Sequence, residues 1–119
     1  MKPTILIVED DKAVRESLRM VLEVYGYTVE EFATGEDLIA RAEPIDGACI
    51  ILDIHLPGAS GIETLERLRA HSGPFNAILV SARSTDRMQN DARRLQALAL
   101  FSKPVDIDRL LGTIAALEQ

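Results

Sequence analysis

With 119 residues, 47% of them hydrophobic and 27% charged, the chain reads as one compact domain over residues 1–119, neither disordered nor built to cross a membrane. Nineteen acidic against thirteen basic residues give a net charge of −6, and aromatics reach only 4%, so direct nucleic-acid binding is not expected. No window approaches the eighteen or so uncharged residues of a membrane span, and the apolar stretch after Lys2 is too short for a secretory signal, so the expected location is the cytoplasm, with no membrane partner.

In chain order, residues 4–8 form a short apolar run, the pattern of a strand covered on both faces. Val14, Leu18, Val21, Leu22 and Tyr25 then recur at helical spacing as one core stripe, with Gly26 placed to cap the C-terminus. Residues 27–32 predict a second strand, and Glu30 and Glu31 mark it as an edge. A short helix follows from Thr34, whose hydroxyl and the carboxylate of Asp37 suit a capping box, and it must stop before Pro44. The third strand, 48–52, contains the lone cysteine, Cys49, which has no internal disulfide partner and reads as a small buried hydrophobe. Ile62, Leu65 and Leu68 predict a third helix ending near Gly73 and Pro74, followed by a strand at 77–80. The fourth helix, 84–95, has a thin stripe of Met88, Ala92 and Leu95, which makes it the helix most able to shift. A fifth strand at 98–101 leads to a helix carrying Ile107, Leu110, Leu111, Ile114 and Leu117 behind a cap at Asp106.

Five strand–helix units with right-handed crossovers predict an α/β, doubly wound (βα)5 fold with a five-stranded parallel sheet. The strand order taken is 2-1-3-4-5, the flavodoxin-like one. In such a sheet the functional crevice lies beyond the carboxyl ends of the strands. The polar residues standing there are Glu9, Asp10 and Asp11 after the first strand, Asp53 after the third, Ser81 after the fourth, and Ser102 and Lys103 after the fifth. Adjacent strands bring these ends together. Taken singly, Lys103 reads as a loop lysine, Ser81 as a turn residue and Asp11 as a helix cap, so the argument rests on their joint placement. Several carboxylates in one cleft repel unless a cation sits among them, and an all-oxygen donor set with no Cys/His pair suits Mg²⁺ rather than Zn²⁺.

The segments ILIVEDD, IILDIHLPGASGIETL, ILVSAR and FSKPVD, in that order and spacing, resemble the receiver domain of two-component response regulators over essentially the whole chain. The resemblance implies that Asp53 is the phosphoacceptor, a carboxylate nucleophile attacking a phosphohistidine. It implies that Asp10 and Asp53 are direct Mg²⁺ ligands, with Glu9 acting through a metal-bound water and His55 through its backbone carbonyl. Ser81 and Lys103 would bind the phosphoryl oxygens, and the Lys103–Pro104 bond would be cis. His55 and Arg83, two residues past Asp53 and Ser81, would overlook the phosphate and tune its lifetime. Pro57, Gly58 and Gly61 would shape the loop after the phosphoacceptor through ordinary turn chemistry, and His71 reads as a helix-end or solvent contact.

Two departures stand out. The family places Tyr or Phe three residues before the lysine, where the ring swings inward on phosphorylation, and this chain has Leu100, with Phe101 on the opposite strand face. The switch is therefore assigned to Ser81 together with Leu100, or to the fourth helix and its loop without a ring; Ala82 leaves that loop room to close. Gln96 and Ala97 replace a Gly-Ala pair, so a less bent loop is expected before the fifth strand.

The function read from these residues is a phosphorylation-activated switch that catalyses its own phosphoryl transfer from a sensor histidine kinase or phosphotransfer protein, and is not a classical enzyme. Its signal would pass to a downstream protein or to an output domain outside this sequence, or through self-association by the fourth helix, fifth strand and fifth helix. The alternative is a docking receiver that works without phosphate, which the intact set Glu9, Asp10, Asp53, Ser81 and Lys103 disfavours. FMN binding on the same fold is opposed by the three acids after the first strand, which would repel its phosphate.

Overall fold

The structure is a computed structural model that describes residues 2–41 and 43–118. Strands β1 (Ile5–Val8), β2 (Val29–Phe32), β3 (Cys49–Asp53), β4 (Asn76–Ser81) and β5 (Ala99–Ser102) form one sheet of order β2-β1-β3-β4-β5, parallel throughout. The crossovers are α1 (Lys12–Val24), α2 (Gly35–Ile39), α3 (Gly61–His71) and α4 (Asp86–Arg94), and α5 (Ile107–Ala115) follows β5 and runs into a 3-10 turn at Ala116–Glu118. The expected fold and strand order are the ones observed.

Period-two alternation in the inner strands sends side chains to two cores. Leu6, Val8, Ile50, Leu52 and Leu79 join Leu38, Leu65 and Ala92 on the α2, α3 and α4 side. Ile5, Ile7, Cys49, Ile51, Ile78 and Val80 join Leu22, Leu110 and Ile114 on the α1 and α5 side. The edge strands are less covered. On β2, Glu30 pairs with Arg41 at 2.6 Å, while Glu31 takes Arg19 at 2.7 Å and Arg15 at 3.1 Å, so its acids are bonded along the sheet margin.

Every helix starts on a side-chain cap: Asp11, Thr34, Ser60, Thr85 and Asp106 each accept from the peptide N–H three residues on, at 3.0–3.2 Å. Each such cap contributes about 1 kcal/mol. Gly26 ends α1 at φ +90°, the left-handed conformation expected of it.

Two expectations are corrected. The α1 stripe is not buried along its length: Leu22 is fully covered, Leu18 and Val21 are half-buried, and Val14 and Tyr25 are 46% and 55% exposed. The reason is an open cavity of about 740 Å³ between α1 and the start of α5, lined by Val14, Leu18 and Val21 against Val105 and Ile107. The loop before β5 is not straightened by losing glycine, because Gln96 itself adopts φ +58°. Arg69 of α3 holds that bend, donating to the carbonyls of Leu95 (2.9 Å), Gln96 (3.2 Å) and Phe75 (2.9 Å).

Among the described residues no helix is long and apolar enough to cross a membrane. Cys49 is fully buried, and burial pushes its thiol up to about 12. Native protein is therefore expected to resist a chromogenic disulfide reagent at mildly alkaline pH and to react only after denaturation; prompt labelling of the folded chain would contradict this burial.

Candidate functional site

The carboxyl ends of β1, β3, β4 and β5 lie side by side, and the backbone ladder continues past them. Glu9 N–H donates to the Phe32 carbonyl at 3.1 Å, Ile54 N–H to Val80 at 2.9 Å, and Lys103 N–H to Ser81 at 2.8 Å. These bonds fix the roots of the side chains that enter the crevice. Glu9 and Asp53 are both 5% exposed, an unusual degree of burial for carboxylates. Lys103 reaches between them, with Nζ 2.8 Å from Glu9 Oε1 and 2.6 Å from Asp53 Oδ2. Asp53 Oδ1 accepts from the His55 N–H at 2.9 Å. Asp10 is exposed at the rim, and Glu9, Asp10 and Asp53 each bring an oxygen within 4.8 Å of the others.

Burial and neighbouring charges set the direction in which each group's proton affinity moves. Burial, and then the neighbouring Asp53, push Glu9 up to about 7 against the relief given by Lys103. Burial also opposes ionisation of Asp53, but the contacts with Glu9, Lys103 and the His55 peptide outweigh it and hold Asp53 below the usual carboxylate range. For Lys103, burial favours the neutral amine, yet the two carboxylates dominate and raise its pKa. One ammonium thus faces three acids, one of which keeps a high proton affinity. Glu9 Oε2 is buried and has no hydrogen-bond partner among the described residues. A hard divalent cation would satisfy that oxygen and the excess negative charge together, so the donor set fits Mg²⁺.

The other predicted residues divide. Ser81 is fully buried at the end of β4, but its hydroxyl is engaged by the Arg83 peptide. The side chains of His55 and Arg83 are exposed at the rim. Leu100 packs against the core beneath α4, while Phe101 faces the α1 and α5 side, as strand alternation requires. Asp11 serves as the α1 cap. The Lys103–Pro104 bond is cis.

Three supports went unrecognised in the sequence. The guanidinium of Arg15 donates to the Glu9 carbonyl at 2.8 Å and ties the acidic loop to β2 through Glu31. Glu36 of α2 accepts from the Ala59 N–H at 3.0 Å and braces the loop after β3 beside Gly58, whose φ is +71°. Gly61, expected to be turn chemistry, is instead a close approach: a Cβ there would collide with the Asp53 carbonyl and lie 2.7 Å from Ile54 Cα. Spacing toward the glycine could have hinted at the last; nothing marks a lone arginine or glutamate on a helix.

The lysine set between buried carboxylates lies at the carboxyl ends of a doubly wound parallel sheet, the crevice in which such sheets bind their ligands. The chain belongs to the response regulator receiver domain family, the phosphorylation-activated module of two-component signalling; the family model matches residues 5–115. It is 29% identical to the transcriptional regulatory protein FixJ of Bradyrhizobium diazoefficiens over 95% of this chain and 55% of that protein. It is 32% identical to the sporulation initiation phosphotransferase F of Bacillus subtilis over 96% of this chain and 92% of that one. The chain thus spans about half the length of the FixJ-type relatives and nearly all of the phosphotransferase. Among solved structures, a CheY-like receiver domain protein from Methanospirillum hungatei superposes with a TM-score of 0.86 at 28% identity, over 99% of this chain and 98% of that one. The response regulator TrrA from Thermotoga maritima, solved in complex with Mg²⁺ and BeF, gives 0.84 at 29% identity over 98% and 99%.

Proposed function

We propose that residues 1–119 form a receiver in which Asp53 takes a phosphoryl group from a phosphohistidine on a sensor kinase or phosphotransfer protein. The observation that carries this reading is the Lys103 ammonium held at 2.6 Å from Asp53 Oδ2 inside a buried cluster of acids. In the transfer, the P–N bond of the donor breaks as a P–O bond to Asp53 forms, and the departing imidazole keeps the electron pair and takes up a proton. Asp53 is suited to attack because its carboxyl stays ionised although buried.

Lys103 is anchored to be a point charge for the arriving phosphoryl oxygens, and Ser81 can turn a hydroxyl to another of them. Glu9, Asp10, Asp53 and the His55 carbonyl would hold Mg²⁺, which supplies charge neutralisation to the phosphoryl oxygens when bound. The exposed side chains of His55 and Arg83, two residues past Asp53 and Ser81, are free to reach over the site and to set the lifetime of the phosphorylated state. The signal is then read, in the cytoplasm, by a partner, an output domain or a second copy on the α4, β5 and α5 face.

Calorimetric titration with Mg²⁺ checks the cation part of this reading. Wild type is expected to bind one equivalent, and Asp10→Asn to bind it about tenfold or more weakly, since a hard cation loses one of few charged ligands. Equal affinity in the two proteins would remove Asp10 from the ligand set.

A further inference from the structure

The hydroxyl of Ser81 is fully buried, and its partners lie in the loop after β4 and in α4. It donates to the Arg83 carbonyl at 2.6 Å, accepts from the Arg83 N–H at 3.1 Å, and lies 3.6 Å from Met88 Sδ in the first turn of α4. One hydroxyl proton thus faces two acceptors, a carbonyl and a thioether. Met88 is tied at both ends: its backbone N–H donates to Thr85, the α4 cap, at 3.2 Å, while its half-buried side chain packs against the same core as Leu100. Beyond it, Ala92 is the buried residue within α4 and Leu95 the buried residue at its C-terminal cap. The contact with Ser81 thus joins the Thr85 cap and the core packing of Met88 at the N-terminal end of this helix.

We infer that Met88 is a positioning residue for Ser81, holding its hydroxyl in the outward arrangement and passing its rotation to α4. The inference rests on the proposed phosphorylation of Asp53. When Ser81 turns its proton toward a phosphoryl oxygen, the Arg83 carbonyl and Met88 Sδ lose it together, and the loop and the first turn of α4 are released at one point. Such a route needs no ring, which accounts for a chain with Leu100 where an aromatic would otherwise respond. Sulfur matters here because it adapts to either position and accepts a weak hydrogen bond that leucine cannot.

The test uses the full chain with [methyl-¹³C]methionine, whose three methionines are Met1, Met20 and Met88, and beryllofluoride with Mg²⁺ as a stable phosphoryl mimic. The Met88 methyl signal, assigned by its loss in Met88→Leu, is expected to move on beryllofluoride binding, while that of Met20, 66% exposed on α1, stays in place. In Ser81→Ala the Met88 displacement is expected to be largely lost. Met88→Leu, which preserves volume, is expected to bind beryllofluoride about two- to fivefold more tightly, because the weaker of the two outward acceptors of the hydroxyl proton is gone and only the Arg83 carbonyl remains. In the Ser81→Ala background the same change is expected to have no effect on affinity, as a double-mutant cycle requires for a direct coupling. An equal effect in both backgrounds, or a Met88 methyl that does not move while beryllofluoride binds, overturns the role of Met88 alone. Failure of the wild type to bind beryllofluoride at all overturns the phosphorylation reading with it.

Discussion

Lys103→Ala is expected to slow phosphoryl capture at Asp53 by about 100-fold, the usual cost of removing one preorganised group from a developing charge, and at the same time to tighten Mg²⁺ binding. The two effects have opposite signs for one reason. The ammonium sits 2.8 Å from Glu9 and 2.6 Å from Asp53, so it competes with a cation for the carboxylates in the resting site yet is needed by the phosphoryl group during transfer. Without it Glu9, Asp10 and Asp53 repel one another with no internal relief, and a divalent ion gains by entering. Both proteins are compared across a pH series up to about 8.5, because Glu9, pushed up to about 7 with Lys103 in place, is raised further once the ammonium that lowers it is removed, and its proton competes with the metal. Calorimetry for Mg²⁺ and the rate of phosphorylation by acetyl phosphate check the pair. Weaker Mg²⁺ binding, or an unchanged rate, would mean that Lys103 is a structural brace.

Gly61→Ala is expected to be nearly as damaging although no reacting atom is touched. The added methyl meets backbone, the Asp53 carbonyl and Ile54 Cα, and neither can swing aside as a flexible side chain would. Gly61 N–H also donates to the Ile54 carbonyl at 2.9 Å, so the start of α3 is pinned against the residue after Asp53. The strain is expected to cost about 1–3 kcal/mol of stability and, by displacing Asp53, roughly 100-fold in phosphorylation rate. Gly112→Ala is the control. Its Cβ would meet nothing within 4 Å in the middle of α5, so alanine there should stabilise by about 0.5–1 kcal/mol through helix propensity and leave the rate unchanged. Urea melts and phosphorylation rates of the two variants separate the cases; a Gly61→Ala protein with wild-type stability and rate would show that the β3–α3 junction has slack.

The residues that touched in the site were readable before the structure because each is bound to a regular element. Glu9, Asp53 and Lys103 stand at the ends of apolar runs that parallel pairing brings side by side; Ser81 stands at the end of β4 in the same way, but its hydroxyl is turned to the Arg83 peptide. The strand order rests on the choice of the flavodoxin-like option among the doubly wound folds, and the acids of β2 agree with its place at an edge. What escaped notice depends on distance between elements rather than on spacing along one. Arg15 could have pointed to solvent, as most helix arginines do; only the packing of α1 against β1 brings it to the Glu9 carbonyl. Val14 sits in the stripe of α1 but not in the core, because the period of a helix says which face turns inward, not whether a neighbour arrives to cover it. Gln96 shows the converse. A left-handed φ normally signals glycine, and here three carbonyl contacts, spread over Leu95, Gln96 and Phe75 and made by one arginine from another helix, hold a glutamine in it.

The central claim is that Asp53 takes up one phosphoryl group in a reaction that needs Mg²⁺. Intact mass after incubation with acetyl phosphate, with Mg²⁺ and with chelator, for wild type beside Asp53→Asn, tests it directly. The account predicts a gain of a single phosphoryl group in the wild type with Mg²⁺ alone, and none in the chelated sample or in Asp53→Asn. A wild-type mass that never changes, or an equal gain in Asp53→Asn, would contradict it.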